Sequence, residues 1–249
     1  MLLSLRSMTH LRAPFQIYSF DTDASGSLTA PRLLGYLLEV AGRSADELGF
    51  GIGELRRQGL TWVLGRIGIQ IDEPLRMGDR VEVETWPSGL ERMIATREFR
   101  WFRDSVEVGR ATSLWFVLDI QTRTPVPPHP LFPGTLQSRE EHLVALSRSI
   151  DRIAESADIE RRFCVRRADI DLNQHVTAAS YVAWAMEAVP EDMVHRQTLQ
   201  FVDIQYLEEC LAGSKVISGS KAMAQGTLVH RISRHQDGKE LARMRTVWA

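Results

Sequence analysis

Asp169-Ile170-Asp171-Leu172-Asn173-Gln174-His175-Val176-Thr177 has a counterpart 148 positions earlier, Asp21-Thr22-Asp23-Ala24-Ser25-Gly26-Ser27-Leu28-Thr29. Both runs open Asp-x-Asp and close on a threonine suited to cap a helix. After Thr29 comes Pro31, where a missing N–H costs a first helical turn little. Leu33, Leu34, Leu37, Leu38 and Ala41 then recur at helical spacing, with Gly42 near the expected end. At the same offset Tyr181 falls on Leu33, Val182 on Leu34 and Glu187 on Glu39, which predicts a second helix over about 178–189. A repeat of this kind has to be found before the fold is assigned.

Outward from the helices the period changes to two. Val63, Gly65, Ile67, Ile69 and Ile71 alternate with Trp62, Leu64, Arg66 and Gln70, the pattern of a long strand with one face on a core. Further strands are expected over 80–86, 93–103 and 109–120, with Asp104-Ser105 as a hairpin turn and a short helix near 54–58. Residues 16–20 read as an opening strand. The repeat continues at smaller offsets: Ile69-Gln70-Ile71 and Gly78 align with Ile204-Gln205-Tyr206 and Gly213, and Arg110 and Trp115 with Arg243 and Trp248. One helix followed by several strands, twice over, makes the chain α+β, each copy an antiparallel sheet with a helix on one face. Five prolines between Pro125 and Pro133 cannot lie inside a sheet. We therefore divide the chain into an N-terminal domain, 1–133, a linker, 134–160, in which 137–157 read as a connecting helix, and a C-terminal domain, 161–249.

At 249 residues, 44% hydrophobic and 25% charged, the composition is that of a globular chain. A net charge of −2 argues against a nucleic-acid partner, and no stretch approaches the length of a membrane span. Arg161, Arg162, Arg166 and Arg167 cluster ahead of the second turn, as a solvated strand face or as a docking patch for an acidic partner. Cys164 and Cys210 form no metal-ligand spacing and no disulfide framework, the seven histidines do not cluster, and Gly49-Phe50-Gly51-Ile52-Gly53 follows a helix, unlike a phosphate-binding loop. No metal or cofactor is expected.

Where two copies share a scaffold, chemistry belongs where one has polar groups that the other lacks. Asn173 stands for Ser25, His175 for Ser27 and Glu209 for Pro74. In an extended segment Asp171, Asn173 and His175 project to one side, and N–H groups at the start of the following helix can receive a developing oxyanion. The bland alternative is that these residues are caps and a surface histidine.

The block from Asp169 to Val176, with Tyr181, Trp184 and Glu187, resembles the Asp-Leu-Asp-Met-Asn-Gln-His-Val signature of the acyl-acyl carrier protein thioesterases of plant plastids and bacteria. Tyr206-Leu207-Glu208-Glu209-Cys210 is similar to that family's Tyr-Arg-Arg-Glu-Cys, and Arg110-Ala111-Thr112-Ser113-Leu114-Trp115 to its Arg-Ala-Thr-Ser-Val-Trp. Thr177-Ala178 and Leu207 depart from the family pattern. The resemblance implies a tandem (double) hotdog, each sheet wrapped around a long central helix, that hydrolyses fatty acyl thioesters of acyl carrier protein without a cofactor. It implies Asp171, Asn173, His175 and Glu209 as the catalytic positions, an acyl-binding or structural role for the first half, and a bacterial cytoplasmic protein; a homodimer is allowed. Glu209 is the expected general base and Cys210 the rival nucleophile; as neighbours on a predicted strand they would face opposite sides. Leu34, Leu37, Leu38, Ile67 and Ile69 either line an acyl tunnel or are plain core. The other readings are an acyl-coenzyme A thioesterase, a hotdog hydratase or dehydratase, and a non-enzymatic acyl-thioester sensor.

Overall fold

The computed structural model describes residues 10–131, 141–171 and 174–249. They form two compact units, one of residues up to 67 plus 75–145, the other of 68–74 plus 146–249. The first runs β1 (Leu11–Gln16), α1 (Ala30–Glu47), α2 (Ile52–Arg57), β2 (Leu60–Ile71, of which 68–71 are counted with the second), β3 (Arg80–Glu91), β4 (Ile94–Arg103), β5 (Val106–Asp119) and β6 (Pro125–Val126). The second runs β7 (Ile159–Cys164), α3 (Ala178–Met186), α4 (Glu191–Arg196), β8 (Leu199–Tyr206), β9 (Lys215–Ala222), β10 (Thr227–Arg234) and β11 (Glu240–Trp248).

The repeat read from sequence is a repeat of topology. Strand order in the first unit is β2-β5-β4-β3-β1 and in the second β8-β11-β10-β9-β7. It extends to single hydrogen bonds. Tyr18 N–H donates to the Asp21 carboxylate (3.0 Å) as Arg166 N–H does to Asp169 (2.7 Å). The bridge Thr22–Leu28 matches Ile170–Val176. Trp115 Nε1–H donates to Ser113 Oγ (2.8 Å) as Trp248 does to Thr246 Oγ1 (3.0 Å). The double hotdog implied by the family resemblance is the fold observed.

In the first unit α1 buries Leu33, Leu34, Leu37, Val40 and Ala41. Each large aliphatic side chain so removed from water contributes roughly 1.5–3 kcal/mol. Leu34, Leu37, Ile67 and Ile69 are core. Asp104 and Ser105 both have positive φ, 50° and 65°, the geometry of a two-residue turn that matches strand twist.

Five expectations need correction. The opening strand is 11–16, not 16–20, because the Asp21 carboxylate closes Ser19–Asp21 into a 3₁₀ turn. Helix α1 passes Gly42 to reach Glu47, drawn on by buried Ser44 and Ala45; Arg97 Nη1 donates to Ser44 Oγ (3.0 Å), and burial pulls that guanidinium down to about 9. Helix α3 stops at Met186, where Ala188 and Val189 N–H turn back to the carbonyls of Ala185 and Met186 ahead of Pro190. Pro125 pairs with Leu118 in the two-residue β6, at the edge of β5 where no N–H is required.

The fifth concerns the connection. Its described part, 141–157, contains no helix. It lies on sheet faces instead, with Val144, Ile150 and Ile153 buried. Strand alternation puts Glu98 on the opposite face of β4 from Arg97 and so away from α1; there it accepts from Ser88 Oγ, Thr112 Oγ1 and Leu143 N–H and meets His142 Nδ1 at 3.1 Å. In the second unit Arg243 and Arg231 donate to the carbonyls of Ile150 and Ile153, Lys221 pairs with Glu155, and Ala222 N–H with Asp158. Side groups of four strands take up donors and acceptors of the connection that a helix would have used internally or left to solvent.

Candidate active site

The site is built on the turn between β7 and α3. Asp169, almost fully buried, accepts from the backbone and guanidinium of Arg166. Burial works to raise its carboxyl, but those bonds prevail and hold it below the usual aspartate value. Its carbonyl takes the Thr177 N–H (2.8 Å), and Thr177 Oγ1 accepts from Ser180 N–H (3.2 Å), so the start of α3 is fixed to the turn.

Between these anchors the chain is not extended, as the spacing suggested, but tightly turned. Gln174 N–H donates to the Asp171 carbonyl (3.1 Å), Asp171 N–H to the His175 carbonyl (2.8 Å), and the Asp171 carboxylate accepts from His175 N–H (3.1 Å). An aspartate closing its own backbone in this way defeats strand alternation. Gln174 stands at φ 65°, a conformation costly to any residue with a Cβ. Asn173 lies outside the described residues.

The turn presents His175 to the segment that follows β8. His175 bridges Leu211, and Val176 N–H donates to the Cys210 carbonyl (3.0 Å). His175 Nε2 then lies 3.4 Å from Glu209 Oε2. These side chains are 28% and 39% exposed, so water reaches both. Residues 207–210 are not strand, β8 ending at Tyr206; even so Glu209 and Cys210 diverge, Cys210 being only 2% exposed.

Tyr181 and Tyr206 lie under the pair, ring centroids 5.7 Å apart. Burial, with Cys210 and Glu209 adding to it, pushes the Tyr181 phenol well up, and burial does the same to Tyr206. Both are therefore neutral donors, Tyr181 to the Glu208 carbonyl (3.4 Å) and Tyr206 to that of Ala178 (3.1 Å). Arg234 Nη2 donates to the Glu209 carbonyl (3.2 Å). Sequence reasoning named Tyr181 and Tyr206 only within a motif and missed Arg234, whose partner is a backbone atom. All four arginines are exposed, and Arg166 is also engaged by Asp169. Among the described residues no group of three or more His, Cys, Asp or Glu side chains could hold a metal ion, and no helix is long and apolar enough to cross a membrane.

Two hotdog units in one chain, with an imidazole and a carboxylate 3.4 Å apart beside the start of the second helix, make a tandem-hotdog protein with a candidate acid–base site. Residues 9–129 match the acyl-ACP thioesterase N-terminal domain and 153–249 the acyl-ACP thioesterase C-terminal domain, and the chain belongs to the acyl-ACP thioesterase family. It is 28% identical to the chloroplastic oleoyl-acyl carrier protein thioesterase 1 of Arabidopsis thaliana over 94% of this chain and 74% of the relative. It is likewise 28% identical to the palmitoyl-acyl carrier protein thioesterase of that plant, spanning 63% of the relative's length. In fold it is similar to an acyl-ACP thioesterase from Bacteroides thetaiotaomicron (TM-score 0.88, 22% identity, 98% of this chain and 99% of that one). It is similar too to the 12:0-ACP thioesterase from Umbellularia californica (0.85, 23%, 96% and 97%).

Proposed function

We propose that this chain hydrolyses fatty acyl-acyl carrier protein to free fatty acid and carrier thiol, with Glu209 as general base. The observation that carries this is the 3.4 Å approach of His175 Nε2 to Glu209 Oε2, in the one copy of the repeat that has both groups. Water attacks the thioester carbonyl as Glu209 takes its proton. His175 orients Glu209 and the water. N–H groups at the start of α3 other than that of Ser180, which Thr177 caps, polarise the carbonyl oxygen. Collapse of the tetrahedral intermediate breaks the C–S bond, and the departing sulfur takes back the proton held by Glu209. Asp171 holds the turn that aims His175, and Asn173, by family resemblance, joins His175 in placing the water.

A Cys210 nucleophile is the second reading. Against it stand the burial of that residue and the ion-pair distance that Glu209, its neighbour, makes with His175. Thiol release from acyl-acyl carrier proteins and acyl-coenzyme A compounds decides between them. Wild type is expected to release thiol and free acid from the carrier-protein substrates, and Glu209→Ala to lose about 10²–10⁴-fold, while Cys210→Ala stays active. A dead Cys210→Ala beside an active Glu209→Ala overturns the base. Preference for coenzyme A moves the carrier, water addition or loss without free acid moves the class to hydratase or dehydratase, and acyl binding with no product makes the protein a sensor.

A further inference from the structure

Arg234 lies at the end of β10 and in no recognised motif, yet it reaches the segment that bears Glu209. That segment is held at each of three successive carbonyls: Glu208 by the Tyr181 hydroxyl (3.4 Å), Glu209 by Arg234 Nη2 (3.2 Å) and Cys210 by Val176 N–H (3.0 Å). Its N–H groups at 207 and 208 both point to the Leu241 carbonyl. Glu209 follows the last residue of β8, so no strand ladder sets its direction. This group of bonds sets it, and the Arg234 bond is made to Glu209 itself.

Arg234 is in turn prepared for this. Its Nη1 donates to Asp237 Oδ2 (2.8 Å), Asp237 Oδ1 accepts Lys239 N–H (3.1 Å), and Arg234 N–H donates to the Lys239 carbonyl (2.8 Å). Lys239 Nζ meanwhile reaches the Glu208 carboxylate. The hairpin Arg234–Glu240 thus grips 208–209 from both of its arms. The first unit has no room for such a device: there β4 passes to β5 through Asp104-Ser105 alone. The longer hairpin belongs to the copy with the imidazole–carboxylate pair.

The geometry points to Arg234 as a positioning residue, which through its bond to the Glu209 carbonyl, braced by Asp237, holds the Glu209 carboxylate at the distance from His175 that base catalysis requires. The inference rests on Glu209 being the base. A displacement of an ångström in a reacting group costs up to about 100-fold. Arg234→Met is therefore expected to lower kcat on acyl-acyl carrier protein by about 10–100-fold with KM within about twofold. Arg234→Lys, which keeps a cationic donor but not two-armed bracing, should recover part of that loss. Asp237→Asn should give a smaller kcat loss of the same kind, and it decides the matter if Arg234→Met does not fold. Unchanged kcat in Arg234→Met, or a loss confined to KM, overturns the inference, as does an Arg234→Lys variant no better than Met. An inactive wild type, or an active Glu209→Ala, instead sinks the base itself, so the two failures are told apart.

Discussion

The turns that begin at Asp21 and Asp169 share the backbone hydrogen bonds of their described residues and have opposite uses. In each, the aspartate two positions in accepts the N–H four residues later, at 3.1 Å in both copies, and its own N–H returns to that residue's carbonyl. In the first, Ser25 Oγ donates to Asp23 Oδ1 (2.6 Å) and lies 3.0 Å from Ser27 Oγ, so both serine hydroxyls are engaged within the loop. The left-handed position is Gly26, φ 77°, where no Cβ is strained. In the second, Gln174 bears that strain, and His175 is turned out toward Glu209. One copy ties its serine hydroxyls into the loop; the other turns an imidazole toward a carboxylate, next to a residue held in a strained conformation.

The comparison breaks if matched substitutions behave alike. The largest expected contrast is His175→Ala against Ser27→Ala: a loss of about 10²–10⁴-fold in kcat for the first, and a change within about twofold for the second, measured by thiol release. Next is the left-handed position. Gln174→Gly should raise the unfolding free energy by roughly 0.5–1 kcal/mol, and Gly26→Gln should lower it by a similar amount, in urea titration. Equal and same-signed shifts would mean that strain is not distributed as the two turns suggest.

Smaller effects concern acid. His230, on β10 and fully buried in the second unit, is pulled down to about 3 by burial. An unfolded histidine titrates near 6.5, so between about pH 6.5 and 3 the unfolded chain binds a proton that the folded chain refuses. Its effect is absent above that window and grows destabilising as pH falls through it. His230→Gln should flatten the decline of urea stability with falling pH there; an unchanged slope would place the acid sensitivity elsewhere. Asp169 has the opposite sign: its lowered carboxyl contributes stability above the ordinary aspartate range, which is lost as pH falls below it, and Asp169→Asn should remove that acid-side loss.

Much of this was legible because the groups that shape the turns are side chains. Asp23 and Asp171, Thr29 and Thr177, Gly78 and Gly213 are where backbone geometry is fixed by residue identity, so the repeat could be aligned without a structure. His175 and Glu209 stood out as departures from it. The parts that were not legible are set by tertiary partners. The length of α1 depends on Arg97, which is 53 residues away from Ser44. The connection is kept from helix by arginines on other strands, and Arg234 acts on a carbonyl, an atom that every residue has.

That connection bears on how the chain can be dissected. Residues 150–158 are fastened to β11, β10 and β9 one after another. They are a cover for the second sheet rather than a tether between halves. A C-terminal fragment begun at 161 would cost Arg231 and Arg243 their acceptors at the Ile153 and Ile150 carbonyls, whereas one begun at 146 takes its cover along. In synthesis from the ribosome, too, the cover emerges before the sheet it will lie on, and waits for its strands.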